Sequence, residues 1–206
     1  MKLDFALVGV GGQGTVLASD LLAAVGLAAG YDVKKTDSLG MSQRGGSVVS
    51  YVRWGERVFS PVPPTGQIDV VIAQEKLEAA RTASLIRQDG LVVVSDHQIR
   101  PPSVSSGAAR YPTDDEVHRL LAARTTNVHF VDGPAIAAEI GNPRVINVLL
   151  LGFIAATLPL PLGLWRECLV GLLPARVREV NLRALERGCA EWSGKAERKG
   201  RVSVLG

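Results

Sequence analysis

Hydrophobic residues along the chain follow two alternating patterns, short apolar runs and longer segments of helical spacing. Short runs bounded by glycine or polar residues are typical of buried strands, and apolar residues three and four positions apart are typical of helices. The apolar runs lie at 3–8, 69–73, 91–95 and 127–131, and the more polar segment 31–38 is predicted to be a further strand. The helical segments lie at 16–29, 75–87, 113–124, 134–141, 143–157, 164–173 and 174–192. This alternation predicts an α/β fold with a doubly wound, Rossmann-like, mostly parallel sheet and a helical C-terminal third.

One segment departs from the α/β alternation. Residues 47–54 alternate between two faces, with Val48, Ser50, Val52 and Trp54 on one of them. A tight turn at 55–56 and a returning segment at 57–60 would complete a β-hairpin inserted into the α/β pattern. The proline-rich stretch 61–66 that follows is expected to be an extended linker, because proline suits neither a helix interior nor a central strand.

Composition limits the class of protein. With 206 residues, of which 47% are hydrophobic, the chain can form a single domain, which we place at residues 1–192. The Gly- and Lys/Arg-containing end, 193–206, is expected to be a flexible tail. A net charge of +3 with interspersed acids, and no basic stripe, argues against a nucleic-acid partner.

The two cysteines, Cys168 and Cys189, lie apart in helical patterns and suit a reducing cytoplasm. The sequence contains no CxxC pair and no clustered histidines, so it does not indicate a metal site. The apolar stretch 145–162 contains Asn147 and two prolines, so it is too interrupted to cross a membrane. We expect it to be a buried helix or a subunit interface, with a homodimer as one possibility.

The main candidate for ligand chemistry is the glycine loop, Gly9–Thr15, between the first strand and the first helix. Its Gly9, Gly11 and Gly14 satisfy GxGxxG, and free N–H groups at a helix start attract anions. A dinucleotide site also needs an acid at the end of the second strand, whereas Asp32 stands at its start and Asp37 comes late in it. Three interpretations stay open: a dinucleotide site, a tight turn that permits close packing, and a loop that meets another anion or a partner subunit.

A second candidate loop carries an arginine between glycines. An arginine fork matches carboxylates and phosphates, although a plain surface loop would explain the segment equally well. The candidate binding residues of the two loops are Gly9, Gly11, Gly12, Gln13, Gly14, Thr15, Ser42, Gln43, Arg44, Gly45 and Gly46.

Several segments occur in an order that identifies a family. In order, they are the glycine loop, Ser42–Gly46, Asp69–Ala73, Asn147 with Leu151-Gly152, and Asn181–Gly188. Together they resemble the gamma-type domain of 2-oxoacid:ferredoxin oxidoreductases, with the beta-subunit type of the indolepyruvate enzymes as the nearest branch. The resemblance covers about residues 3–190.

The resemblance implies a role in a larger enzyme that converts 2-oxoacids to acyl-CoA and reduces ferredoxin. Thiamine diphosphate, Mg²⁺ and the iron–sulfur clusters are then expected in a large partner subunit, with CoA as co-substrate and ferredoxin as an indirect partner. The absence of clustered cysteines and of a GDG segment agrees with this division. No catalytic residue and no tightly bound cofactor are expected in this chain alone, and Gln13 and Arg44 are expected to face an anionic ligand or the partner. The alternatives are a self-sufficient NAD(P)- or flavin-binding oxidoreductase and a non-enzymatic interaction module.

Overall fold

Within the described part of the chain the sheet has six strands, and their order confirms the predicted fold class. The computed structural model describes residues 1–39 and 46–199. The strands are β1 (Leu3–Val10), β2 (Asp32–Leu39), β3 (Ser47–Gly55), β4 (Ile68–Ala73), β5 (Ile86–Ser95) and β6 (Val128–Val131). Their spatial order is β2-β3-β1-β4-β5-β6, and the pairs β1–β4, β4–β5 and β5–β6 are parallel.

Helices cover both faces of the sheet. They are α1 (Thr15–Ala28), α2 (Lys76–Thr82), α3 (Pro102–Ser105), α4 (Asp114–Ala122), α5 (Gly133–Ile140), α6 (Ile146–Ala155), α7 (Leu162–Leu172) and α8 (Ala175–Lys199). The larger core joins one sheet face to α1 and the C-terminal helices, and the smaller core joins the other face to α2 and α4. This two-sided burial explains the continuous apolar runs of β1 and β5.

The predicted β-hairpin is present, but its strands are β2 and β3, and the predicted pairing of 47–54 with 57–60 is wrong. Strand β3 instead pairs antiparallel with β1 on one side and with β2 on the other, and residues 57–60 form no strand. An internal position gives β3 backbone partners along both edges and buries Val52 and Trp54 completely. The fit is close, because a Cβ on Gly26 of α1 would lie 2.4 Å from Nε1 of Trp54.

Two helix boundaries also differ from the sequence pattern. The helix predicted over 75–87 ends at Thr82, followed by a 3₁₀ turn at Ala83–Leu85, and β5 begins at Ile86. A register shift opposite Ile68 and a positive φ of 62° at Asp89 carry the chain through this irregular strand start. At the other end of the chain, α8 continues to Lys199, beyond the predicted helix end at Trp192.

Helices α6 and α8 touch backbone to backbone. A Cβ on Gly152 would lie 2.0 Å from the Leu185 carbonyl oxygen, and one on Gly188 would lie 1.9 Å from that of Leu149. All ten residues of α6 are buried, so this part of the predicted apolar stretch 145–162 belongs to the core. The Leu151-Gly152 and Asn181–Gly188 motifs therefore have a packing explanation.

Candidate functional site

The candidate site lies at the edge of the sheet where the parallel strands end. The glycine loop follows β1, Gln74 follows β4, and Asp96 and His97 follow β5. Ligand sites of open α/β sheets form at this edge. Because β3 runs in the opposite direction, its first residues also lie here, with Ser47 beside Val10.

The glycine loop contacts the end of the second candidate loop. The Gly11 N–H donates to the Gly46 carbonyl oxygen at 2.9 Å. Ser42, Gln43, Arg44 and Gly45 lie outside the described residues, so their predicted roles stay predictions. Gly12 and Gly14 adopt positive φ angles of 98° and 78°, which explains glycine at these two positions.

The side chain of Gln13 folds back into the loop. Its Oε1 accepts from the Val10 N–H at 2.7 Å, and its Nε2 donates to the Gln74 carbonyl oxygen at 3.1 Å. Nε2 also lies 3.4 Å from Nδ1 of His97. We expected Gln13 to face a ligand or a partner, but its amide is used within the chain to fasten the loop to two neighbouring strand ends.

Gln74 also holds the glycine loop in place. It is 1% exposed, and its Nε2 donates to the Thr15 hydroxyl at 3.1 Å, while Oε1 has no partner among the described residues. A Cβ on Gly9 would lie 2.9 Å from both Gln13 Oε1 and Thr15 Oγ1 and 3.3 Å from the Gln74 Cβ. A side chain at Gly9 would therefore displace the Gln13 amide and the Thr15 hydroxyl, which supports the close-packing interpretation of that glycine.

Asn147 of α6 fixes the other end of the loop. Its Nδ2 donates to the Gly14 carbonyl oxygen at 3.1 Å, and a Cβ on Gly14 would lie 2.5 Å from that nitrogen. A buried asparagine amide needs a polar partner, and the Gly14 carbonyl oxygen supplies it. Through this contact the C-terminal helices hold the loop that precedes α1.

The loop ends at a helix start that has no capping side chain. Gly14 is the N-cap of α1, and the first turn contains no acidic residue. The first N–H groups of a helix have no partner within it, and the helix dipole adds positive potential there. This end of α1 can therefore accept an anion or a carbonyl oxygen from outside the chain.

The geometry at the second strand argues against the dinucleotide interpretation. Strand β3 lies between β1 and β2, so the end of β2 is two strand spacings, or ~10 Å, from the end of β1. The Asp37 carboxylate is also engaged, since it accepts from Ser50 Oγ at 2.5 Å and from Lys35 Nζ at 2.8 Å. Burial acts against ionisation, but these two contacts hold the pKa of Asp37 below its usual value. Asp32 lies at the opposite end of β2.

Residues 96–113, between β5 and α4, are tied to the same sheet edge by buried charged groups that the sequence did not reveal. Glu75 is 1% exposed and accepts from the Ile99 N–H at 3.0 Å and from the Tyr111 hydroxyl. Burial and this hydrogen bond raise the pKa of Tyr111 far above its usual range. Lys76 Nζ lies 2.8 Å from Asp96 and 2.7 Å from Asp114.

The described residues do not offer ligands for a metal centre. They contain no group of three or more His, Cys, Asp or Glu side chains that could hold a metal ion. Both cysteines are free, and burial raises the pKa of the Cys168 and Cys189 thiols. Within the same part of the chain, the helices are too short or too polar to span a bilayer.

Comparisons with known proteins place this architecture in a family. Residues 4–191 match the pyruvate ferredoxin/flavodoxin oxidoreductase family. An indolepyruvate oxidoreductase subunit IorB from Archaeoglobus fulgidus is 36% identical over 91% of this chain and 94% of its own length. The subunit of that name from Thermococcus kodakarensis is 37% identical over the same shares.

A solved structure shows the same fold. A keto/oxoacid ferredoxin oxidoreductase gamma subunit from Geobacter sulfurreducens aligns with a TM-score of 0.68 at 18% identity, covering 93% of this chain and 99% of that one. These matches confirm the resemblance drawn from the glycine loop and the C-terminal motifs. The chain therefore belongs to the pyruvate ferredoxin/flavodoxin oxidoreductase family, as a subunit of a 2-oxoacid:ferredoxin oxidoreductase.

Proposed function

We propose that this chain is the smaller subunit of an indolepyruvate:ferredoxin oxidoreductase. The complex would oxidise an aryl pyruvate in the presence of CoA, releasing CO₂, forming an acyl-CoA and passing two electrons to ferredoxin. The observation that carries the proposal is the similarity to subunits named for indolepyruvate, which extends over 91% of the chain at 36% identity. Thiamine diphosphate, Mg²⁺ and the iron–sulfur clusters would belong to a large partner subunit.

The site geometry supports an accessory role. Gln13, Gln74 and Asn147 use their polar atoms to hold the glycine loop, and they present no nucleophile or general base to a substrate. At this edge, the uncapped start of α1 is the group that a partner could contact. We infer that the large subunit, or an anionic group bound to it, meets this helix start, so that the loop completes a site formed mainly by the partner.

Reconstitution tests the proposal. We expect the isolated chain not to reduce viologen with indolepyruvate and CoA, and turnover to appear when a large thiamine- and cluster-containing subunit is added. Pyruvate and 2-oxoglutarate serve as competing substrates and should give lower kcat/KM. A large subunit whose activity is unaffected by this chain would contradict the proposal.

Arg44 offers a second test within the complex. Arg44→Ala is expected to lower turnover while leaving the melting temperature of this chain unchanged, because an arginine in the loop that the sequence predicts there would contribute little to stability. Equal losses of turnover and of folded protein would instead assign the residue a structural role. Binding of NAD(P) or a flavin to the chain alone, measured by calorimetry, would favour the rival hypothesis of a self-sufficient oxidoreductase. A cytoplasmic location stays a prediction from the cysteine content.

A further inference from the structure

The side-chain amide of Gln13 has its orientation fixed from two sides. It meets the backbone N–H of Val10 at 2.7 Å and the backbone carbonyl oxygen of Gln74 at 3.1 Å. The first group can only donate and the second can only accept, so the amide oxygen must face Val10 and the amide nitrogen must face Gln74. The exchanged orientation would lose both hydrogen bonds, so the backbone around this amide identifies each of its atoms.

This orientation determines which nitrogen of His97 carries the proton. The Gln13 Nε2 has two hydrogens, of which one is used by Gln74, and Nε2 also lies 3.4 Å from Nδ1 of His97. Two donors cannot share a hydrogen bond, so Nδ1 has to accept and the imidazole proton has to be on Nε2. Within residues 1–39 and 46–199, no other group forms a hydrogen bond with the His97 ring, so nothing there opposes this tautomer.

The backbone around His97 is fixed to three elements. The His97 N–H donates to the Ser95 oxygen of β5 at 2.7 Å, and the His97 oxygen accepts from the Lys76 N–H of α2 at 3.1 Å. The Asp96 N–H donates to the Val131 oxygen of β6 at 2.7 Å, and the Asp96 carboxylate binds Lys76 Nζ at 2.8 Å. An imidazole on a backbone held in this way offers the glycine loop an acceptor at a fixed position.

The other two histidines are used for packing. His118 stacks on Phe130 with ring centroids 4.1 Å apart, and His129 packs against two aromatic rings of the C-terminal helices. In the part of the chain that the structure describes, the His97 ring makes no such aromatic contact. The polar contact with Gln13 is therefore the interaction that distinguishes the His97 ring.

We propose that His97 is a positioning residue for the glycine loop and acts through Gln13. With its Nδ1 unprotonated, it holds the Gln13 amide, which joins the ends of β1, β4 and β5. The loop is then already ordered when the large subunit meets the start of α1, so binding costs less conformational entropy. This inference rests on the proposed function, because it takes the large subunit as the protein that meets the loop.

Two substitutions separate the acceptor from the ring. His97→Phe keeps an aromatic ring and removes the acceptor, whereas His97→Asn removes the ring and can place an oxygen near the position of Nδ1. Titrating the large subunit with the full chain, and following viologen reduction with indolepyruvate and CoA, gives the apparent Kd of the complex. For His97→Phe we expect this Kd to rise about fivefold, and for His97→Asn to stay within about twofold of the wild type.

The same two substitutions at His118, which is exposed on α4, are the matched control. Both His118 variants should keep the Kd within about twofold of the wild type. Thermal melting of every variant checks that it is folded. A role of His97 in packing alone would give the opposite order, with His97→Phe tolerated and His97→Asn impaired.

The tautomer is tested on the isolated full chain by ¹⁵N NMR of the imidazole rings at about pH 8, where side-chain imidazoles are ordinarily neutral. We expect the His97 Nδ1 to resonate as a nitrogen without a proton and its Nε2 as a protonated one. A proton on Nδ1 would overturn the proposal, because two donors would then face each other.

Three binding results would also overturn the proposal. His97→Phe could bind as tightly as the wild type, His97→Asn could lose as much affinity as His97→Phe, or the His118 variants could lose as much. A wild-type chain that does not bind the large subunit would remove the proposed function itself. The NMR result would still decide whether His97 accepts from Gln13, which distinguishes the two failures.

Discussion

Glycines serve opposite purposes in the two halves of this molecule. In the glycine loop, Gly12 and Gly14 provide positive φ angles, and the loop leaves N–H groups at the start of α1 available. In the α6–α8 pair, Gly152 and Gly188 lie in regular helix and allow two backbones to touch. The two regions are joined by Asn147, which belongs to α6 and binds Gly14. A glycine motif therefore indicates chemistry only after its local contacts are known.

The helix pair should be the more sensitive region. In Gly188→Ala the new Cβ would lie 1.9 Å from the Leu149 carbonyl oxygen, a backbone atom that cannot move unless the helices separate. We expect a loss of about 3 kcal/mol or more in the free energy of unfolding, measured by urea denaturation. The control is Gly171→Ala in α7, where nothing lies within 4 Å, and it should raise stability by about 0.5–1 kcal/mol. Equal effects at both positions would show that the backbone contact at Gly188 does not limit stability.

The connection through Asn147 can be measured by a double-mutant cycle. Gly14→Ala combines a φ of 78° with a contact of 2.5 Å to Asn147 Nδ2, and we expect it to cost about 2–3 kcal/mol. In an Asn147→Ala background the cost should fall by about 1 kcal/mol, because the contact is gone and the backbone strain remains. Gly12→Ala, with nothing within 4 Å, should show no such coupling. Strict additivity for Gly14 and Asn147 would show that the regions are independent.

Gln13→Glu tests whether the loop depends on an amide donor. The new carboxylate could still accept from the Val10 N–H, but it would face the Gln74 carbonyl oxygen without a proton to donate. We expect a loss of about 1–2 kcal/mol at neutral pH, which diminishes as the pH falls and the new group is protonated. Val16→Glu places the same charge on the first turn of α1, where the helix dipole favours it, and should be nearly neutral. A similar loss in both variants would point to charge rather than to the missing hydrogen bond.

The smallest expected effect concerns Asp37, which lies away from both regions. Its folded-state pKa lies below the ordinary 3.8, so its contribution is present above that pH and declines as the pH falls through the folded value. Asp37→Asn should therefore cost about 1 kcal/mol near pH 7 and progressively less below about pH 4. The control Thr65→Ala removes an exposed side chain that does not titrate, so its effect on the free energy of unfolding should be the same across this pH range. A constant difference across this range would contradict the assignment.

The sequence predicted the parallel strands, helix α1 and the glycine loop, because each depends on a local pattern. It did not predict that β3 pairs on both edges, since the alternation of 47–54 is the same in a hairpin and in an internal antiparallel strand. The partners of Gln13 were equally hidden, because Gln74 and His97 lie 61 and 84 residues away in the sequence. In the sequence, Glu75 and Lys76 resemble an ordinary helix start. Only the structure shows that the chain after β5 covers them.

The insertion of β3 also affects how the chain can fold. In an ordinary βαβ unit the second strand pairs with the first as soon as the helix is complete, whereas here β2 has no direct contact with β1 in the sheet. The strand that joins them is β3, which ends at Gly55. The chain must reverse direction after residue 39 before β3 can form. During synthesis, residues 1–39 therefore leave the ribosome with two strands and a gap of one strand between them. The N-terminal part of the sheet closes in a single event, when β3 enters and pairs with both neighbours.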